Sequence, residues 1–75
     1  MTILILDDEP VIRDVLRTVL AKAGFKTREA ASAGEGLERL SREPFDLLLL
    51  DLMLPDRPGL ELLGEVRARW PEMPV

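Results

Sequence analysis

The sequence predicts an α/β chain in which three strands alternate with three helices, building a parallel sheet with helices on its faces. Three observations carry this. Residues 3–6 (ILIL) and 47–50 (LLLL) are apolar runs of four, each stopped by aspartate, too short for helices and suited to strands buried on both faces. Two of the segments that follow the strands repeat apolar residues at helical spacing, and the third opens on a helix-start signature. The resulting order is strand, helix, strand, helix, strand, helix, and such an order implies right-handed crossovers and parallel pairing.

Composition narrows what such a chain can do. It has 75 residues, 47% hydrophobic and 32% charged, with a formal net charge of −4. That is enough for one small domain with a modest core, since a chain of ~60 residues buries only ~60% of its unfolded surface. Two lysines and eight arginines are scattered along it, which argues against nucleic acid or an anionic membrane as partner, because both need a concentrated basic face. Cysteine and histidine are both absent. Disulfides, thiolate metal sites, the usual zinc ligands and serine- or cysteine-histidine hydrolysis are therefore excluded, which leaves carboxylates as metal ligands or nucleophiles. No apolar run approaches the ~20 residues of a membrane-spanning helix. The N-terminal MTILILDDE has no basic segment and meets three acids at once, unlike a secretory signal; the expectation is a cytoplasmic protein.

Taken in order, the first strand (residues 3–6) is stopped by Asp7, Asp8 and Glu9, and Pro10 follows where the first turn of a helix tolerates a missing N–H. Val11, Ile12, Val15, Leu16, Val19, Leu20 and Ala23 share one face of that helix, and Arg13, Asp14, Arg17, Thr18 and Lys22 the other. Gly24 is placed to end it as a left-handed cap. Residues 25–30 (FKTREA) suit an edge strand, where charge discourages stray pairing. Ser32 and Glu35 have capping-box spacing, so a second helix starts near Ala33 and runs to about Arg42, with Leu37 and Leu40 inward. Gly34 and Gly36 weaken its first turn, each by ~1 kcal/mol relative to alanine. After the leucine run, Pro55, Pro58 and Gly59 make a loop, and from Gly59 the residues Leu60, Leu63, Val66 and Trp70 recur at helical spacing until Pro71. Met73, Pro74 and Val75 read as the start of another strand.

The parallel arrangement gives the acids their interest. All strands of such a sheet end at one rim, where open α/β sheets bind ligands. With the first and third strands adjacent, Asp7 and Asp8 stand within a few ångströms of Asp51, and three crowded carboxylates repel one another unless a hard divalent cation such as Mg²⁺ joins them. Plainer readings stand beside this one. Asp51 begins a loop; Asp7 and Asp8 cap a helix, a role worth ~1 kcal/mol. Met53 fills the core, Asp56 is a turn residue, Glu9 is a solvated acid or a cap, and Trp70 packs a helix end.

The acidic pair after the first strand, the aspartate ending the third and the sequence DLMLPDRPG, with glycine eight residues after that aspartate, together resemble the receiver domain of bacterial two-component response regulators, and the resemblance runs the length of the chain. It implies a flavodoxin-like, doubly wound parallel sheet in the order second, first, third, fourth, fifth strand, of which the first three strand–helix units are here. It implies that Asp51 is the phosphoacceptor, attacking a phosphohistidine of a sensor histidine kinase or a small acyl phosphate. It also implies Mg²⁺ held by the side chains of Asp8 and Asp51, by Asp7 directly or through water, and by the backbone carbonyl of Met53. Pro55 and Gly59 would shape the loop that turns this carbonyl inward. Such a module accepts phosphate and is not itself an enzyme.

The chain departs from that pattern in what it does not contain. The resemblance calls for a serine or threonine ending a fourth strand and a lysine ending a fifth, and Lys22 and Lys26 sit on the first helix and second strand instead. The expectation is a receiver segment, 1–75, whose phosphorylation is impaired, with its third strand an open apolar edge that pairs with a second copy as a homodimer. The alternative is a self-associating half-domain without phosphorylation. A Mg²⁺-dependent phosphohydrolase is disfavoured, because it needs an acid two residues beyond the nucleophile, and Met53 is there.

Overall fold

The computed structural model describes all residues from Met1 to Val75. Its elements are β1 (Thr2–Leu6), α1 (Pro10–Lys22), β2 (Lys26–Ala30), α2 (Ala33–Arg42), β3 (Leu47–Leu50) and α3 (Gly59–Arg69). The three strands form one parallel sheet in the order β2-β1-β3, the order expected for a flavodoxin-like sheet. Leu6 lies opposite both Ala30 and Leu50, so the strands end level, and the residues after β1 and β3 meet at one rim.

Strand alternation divides the central residues between two faces. Leu4, Leu6 and Leu48 join Ala30, Ala33, Leu40, Leu62 and Val66 in a buried cluster beneath α2 and α3. Ile3 and Ile5, also fully buried, point to the α1 side, so β1 is covered on both faces as its apolar run requires. The leucines of β3 fare differently: only Leu48 is buried, while Leu47, Leu49 and Leu50 are half-exposed. The cause is position, for β3 is an edge strand, and α1 packs over β1 and β2.

The same shortage of cover explains the first helix. Its span and its Gly24 cap, at φ +91°, agree with the sequence, yet it contains no buried residue. Val11, Val15 and Val19 are 72%, 54% and 59% exposed, because the apolar stripe is wider than a three-stranded sheet can cover. Ile12 and Leu16 instead line an open groove with Ile5, Leu49 and Leu50.

In α3 the expected inward stripe is rotated. Leu60 is 69% exposed, and Leu62 and Val66 are the buried pair. Both registers fit the spacing of GLELLGEV; the approach of Gly59 to Leu52 decides between them, since a Cβ on Gly59 would lie 2.3 Å from the Leu52 Cα, and this contact turns residues 59, 62 and 66 inward. α2 carries the N-cap half of its capping box, Ser32 Oγ accepting from Glu35 N at 3.2 Å, while Glu35 Oε1 accepts from Ala31 N at 3.3 Å, one residue before the cap. Gly36 is buried, and a Cβ there would meet Leu6 Cδ2 at 2.8 Å. The glycine that reads as a weakness in the helix thus also lets the Leu6 side chain pack close against it. Trp70 closes α3, half-buried, with the Arg69 guanidinium 4.5 Å from its ring centroid. The C-terminal residues form no strand, but Pro74 O accepts from Leu48 N at 3.0 Å, beside the free edge of β3.

Candidate functional site

The level strand ends bring three acids together. One carboxylate oxygen from each of Asp7, Asp8 and Asp51 lies within 4.8 Å of the others, with Asp7 and Asp51 half-buried and Asp8 exposed. Their backbones are fixed by the sheet: Asp51 N donates to Leu6 O at 2.9 Å, and Asp7 N donates to Ala30 O at 3.1 Å. Two side chains are also held. Asp7 Oδ1 accepts from Glu9 N at 2.9 Å, and Asp51 Oδ1 accepts from Met53 N at 3.0 Å.

Capping of α1 does not account for the acidic pair, since its N-cap residue is Glu9 and carries no side-chain capping bond. Ion pairing does not account for it either: the chain's eight ion pairs involve none of the three acids. Three converging carboxylate oxygens that pair with no Lys or Arg are of the kind that ligate a hard metal ion. An octahedral Mg²⁺ with ligands at 2.0–2.1 Å needs oxygens about 2.9 Å apart in adjacent positions and about 4.1 Å in opposite ones. Three ligands of one octahedron include at least two adjacent pairs, so oxygens within 4.8 Å of one another would close by up to about 2 Å, or one carboxylate would bind through water. The residues present fit the ion.

The loop between β3 and α3 completes the surroundings. Met53 bridges to Pro58 across it, and Gly59 N donates to Leu52 O at 3.1 Å. Met53 is 80% exposed, so its side chain is not core filler. Leu54 packs against the core.

Two residues matter more than their sequence context suggests. Arg13, on the polar face of α1, donates from Nη1 to Asp7 O at 2.6 Å and pairs through Nε with Glu29 at 3.3 Å, tying the β1–α1 turn to β2. Nothing in the spacing distinguishes it from Arg17. Asp56, read as a turn residue, reaches α2: its two oxygens accept from Ala33 N at 2.8 Å and Gly34 N at 2.9 Å. The Gly34 and Ala33 amides hold its carboxyl below the ordinary carboxylate value. Glu65 is lowered similarly, by its bond from Arg57 at 2.8 Å and then by Arg69. Lys22 and Lys26 lie at the last residue of α1 and the first of β2, the end of the sheet away from the acids.

A parallel α/β sheet in the order β2-β1-β3 belongs to the doubly wound class, in which ligands bind at the carboxyl rim. Comparison with known proteins is narrower. The response regulator receiver domain profile matches residues 3–75. The chain is 47% identical over 72 residues to the response regulator protein PilR of Pseudomonas aeruginosa, covering 96% of this chain and 16% of that protein. It is 37% identical over 75 residues to the transcriptional regulatory protein DltR of Streptococcus agalactiae, covering all of this chain and 34% of that one. Among solved structures, a CheY-like receiver domain protein of Methanospirillum hungatei superposes with a TM-score of 0.93 at 42% identity, over 96% of this chain and 58% of that one. The response regulator TrrA of Thermotoga maritima, solved with Mg²⁺-BeF, gives 0.89 at 36% identity, over 93% and 61%. TrrA has also been solved in complex with the histidine kinase ThkA, where the match gives 0.91 at 35% identity over 96% of this chain and 62% of that one. This chain belongs to the response regulator receiver domain family. It spans about a third or less of these curated relatives and about three-fifths of these receiver structures.

Proposed function

We propose that this segment is the phosphoacceptor part of a two-component receiver, with Asp51 as the residue phosphorylated. The convergence of Asp7, Asp8 and Asp51 oxygens within 4.8 Å carries the reading. Asp8 and Asp51 would hold Mg²⁺ by side chain, Asp7 directly or through water, and Met53 by its carbonyl. When bound, the ion offsets charge on the carboxylates and on the incoming phosphoryl oxygens. The Asp51 carboxylate attacks the phosphorus of a phosphohistidine; an O–P bond forms as the P–N bond breaks, and the imidazole leaves with the electron pair and takes up a proton. The Met53 N–H, 3.0 Å from Asp51 Oδ1, fixes the rotation of the nucleophile during this step. The Mg²⁺-BeF complex of TrrA and its complex with ThkA support the metal and a sensor histidine kinase as donor.

The reading makes the chain an acceptor of phosphate, not an enzyme, and places it in the cytoplasm; no helix is long and apolar enough to cross a membrane. The resemblance also asks for a hydroxyl and a lysine at the phosphoryl group. Within these residues neither lysine can reach the rim, so the segment supplies metal and nucleophile without the switching contacts.

Incubation with acetyl phosphate and Mg²⁺ followed by intact-mass measurement tests this. One phosphoryl group is expected on the chain or on a longer form of the protein containing it, lost in Asp51→Asn. Absence of label from both, or label that survives Asp51→Asn, contradicts the assignment.

A further inference from the structure

Outside the acidic pocket, one carboxylate joins two strand–helix units through both of its oxygens. The loop between β3 and α3 is closed at its base by the Met53–Pro58 bridge and the Gly59 to Leu52 hydrogen bond. Arg57 pairs with Glu61 and Glu65, which lie on α3, the element the loop itself enters. These contacts move with the loop and do not fix it relative to the rest of the sheet. Asp56 makes the one polar link from the loop to another unit, taking the first two amides of α2. α2 divides its free amides between two acceptors: Ser32 Oγ takes Glu35 N, and Asp56 takes Ala33 N and Gly34 N.

We propose that Asp56 is a positioning residue, tying the β3–α3 loop to the first turn of α2 and so holding the Met53 backbone beside Asp51. Its link to metal binding rests on the function proposed above; its link to loop rigidity does not. A carboxylate suits the task because two oxygens meet two adjacent amides at the positive end of a helix, which fixes the loop in direction as well as distance.

The two acceptors on α2 supply the control, because either loss uncaps the same helix while only one frees the loop. Amide hydrogen exchange in the metal-free chain, and MgCl₂ titration followed by the NMR shifts of Asp51 and Met53, are compared for wild type, Asp56→Ala, Asp56→Asn and Ser32→Ala. The expectation for Asp56→Ala is faster exchange at Met53 and Gly59 and Mg²⁺ binding weakened about tenfold, the low end for a residue supporting a metal ligand. Asp56→Asn, which keeps one acceptor oxygen, recovers part of both effects. Ser32→Ala destabilises the fold but leaves loop exchange and Mg²⁺ affinity unchanged. Wild-type exchange and affinity in Asp56→Ala overturn the proposal, and so does equal weakening in Ser32→Ala, which would make helix stability the cause. A wild type that binds no Mg²⁺ refutes the proposed function, while the metal-free exchange still decides whether Asp56 holds the loop.

Discussion

Gly59 shows how one residue connects packing with the site. Its missing side chain lets Leu52 approach until a Cβ would stand 2.3 Å from Leu52 Cα and 2.7 Å from Leu52 O, against backbone that cannot rotate away. Gly59→Ala is therefore expected to destabilise the chain by about 1–3 kcal/mol or more, read as a lower melting temperature, and to displace the Met53–Pro58 bridge; an unchanged melting temperature would mean the loop has another arrangement. The sequence placed this glycine in the loop through its spacing from Asp51. The contact it makes was not legible, since spacing says nothing about which backbone atoms approach. Asp7, Asp8 and Asp51 were legible for the opposite reason: parallel strands end at a common rim, and with the first and third strands taken as neighbours the acids meet there. Asp56 was half-legible, a turn residue by type, with partners 22 and 23 positions away that no local pattern encodes.

At the scale of elements, apolar runs, helical spacing and the capping box together found the three strands and three helices. The strand expected from Met73 is not formed, and periodicity failed where the choice of face depends on neighbours. The register of α3 was ambiguous between stripes containing Leu60 or Leu62, and contact with Leu52 settled it. In α1 the stripe was read correctly, but its burial was not, because burial needs a partner and the sheet has only three strands. Val11, Val15 and Val19 remain open to solvent beside the groove of Ile12, Leu16, Leu49 and Leu50.

For the whole molecule, that exposed face and the outer edge of β3, where Pro74 O takes the Leu48 N–H, together form an apolar surface that a second copy of this chain can cover. The 75-residue chain is expected to self-associate at micromolar concentration, with a dimer mass by light scattering. Val15→Glu is expected to shift the equilibrium toward monomer without altering secondary structure by circular dichroism. A folded wild-type monomer at that concentration would show that this surface tolerates water. The fold class followed from the alternation of elements, whereas the order β2-β1-β3 was implied only by the resemblance to receiver domains. The incomplete cover of β3 followed from counting strands, and its extent, with Leu48 alone buried, depended on where α1 settled.

The central claim is that acids from two neighbouring strands make one site for a hard dication, and a Mg²⁺-dependent thermal melt tests it most directly. Binding to the folded form alone must raise stability, by about 2.7 kcal/mol at a hundredfold excess over Kd. The account predicts an upward shift with wild type that Asp8→Ala and Asp51→Asn each abolish. No shift with wild type, or an equal shift in both variants, would contradict it.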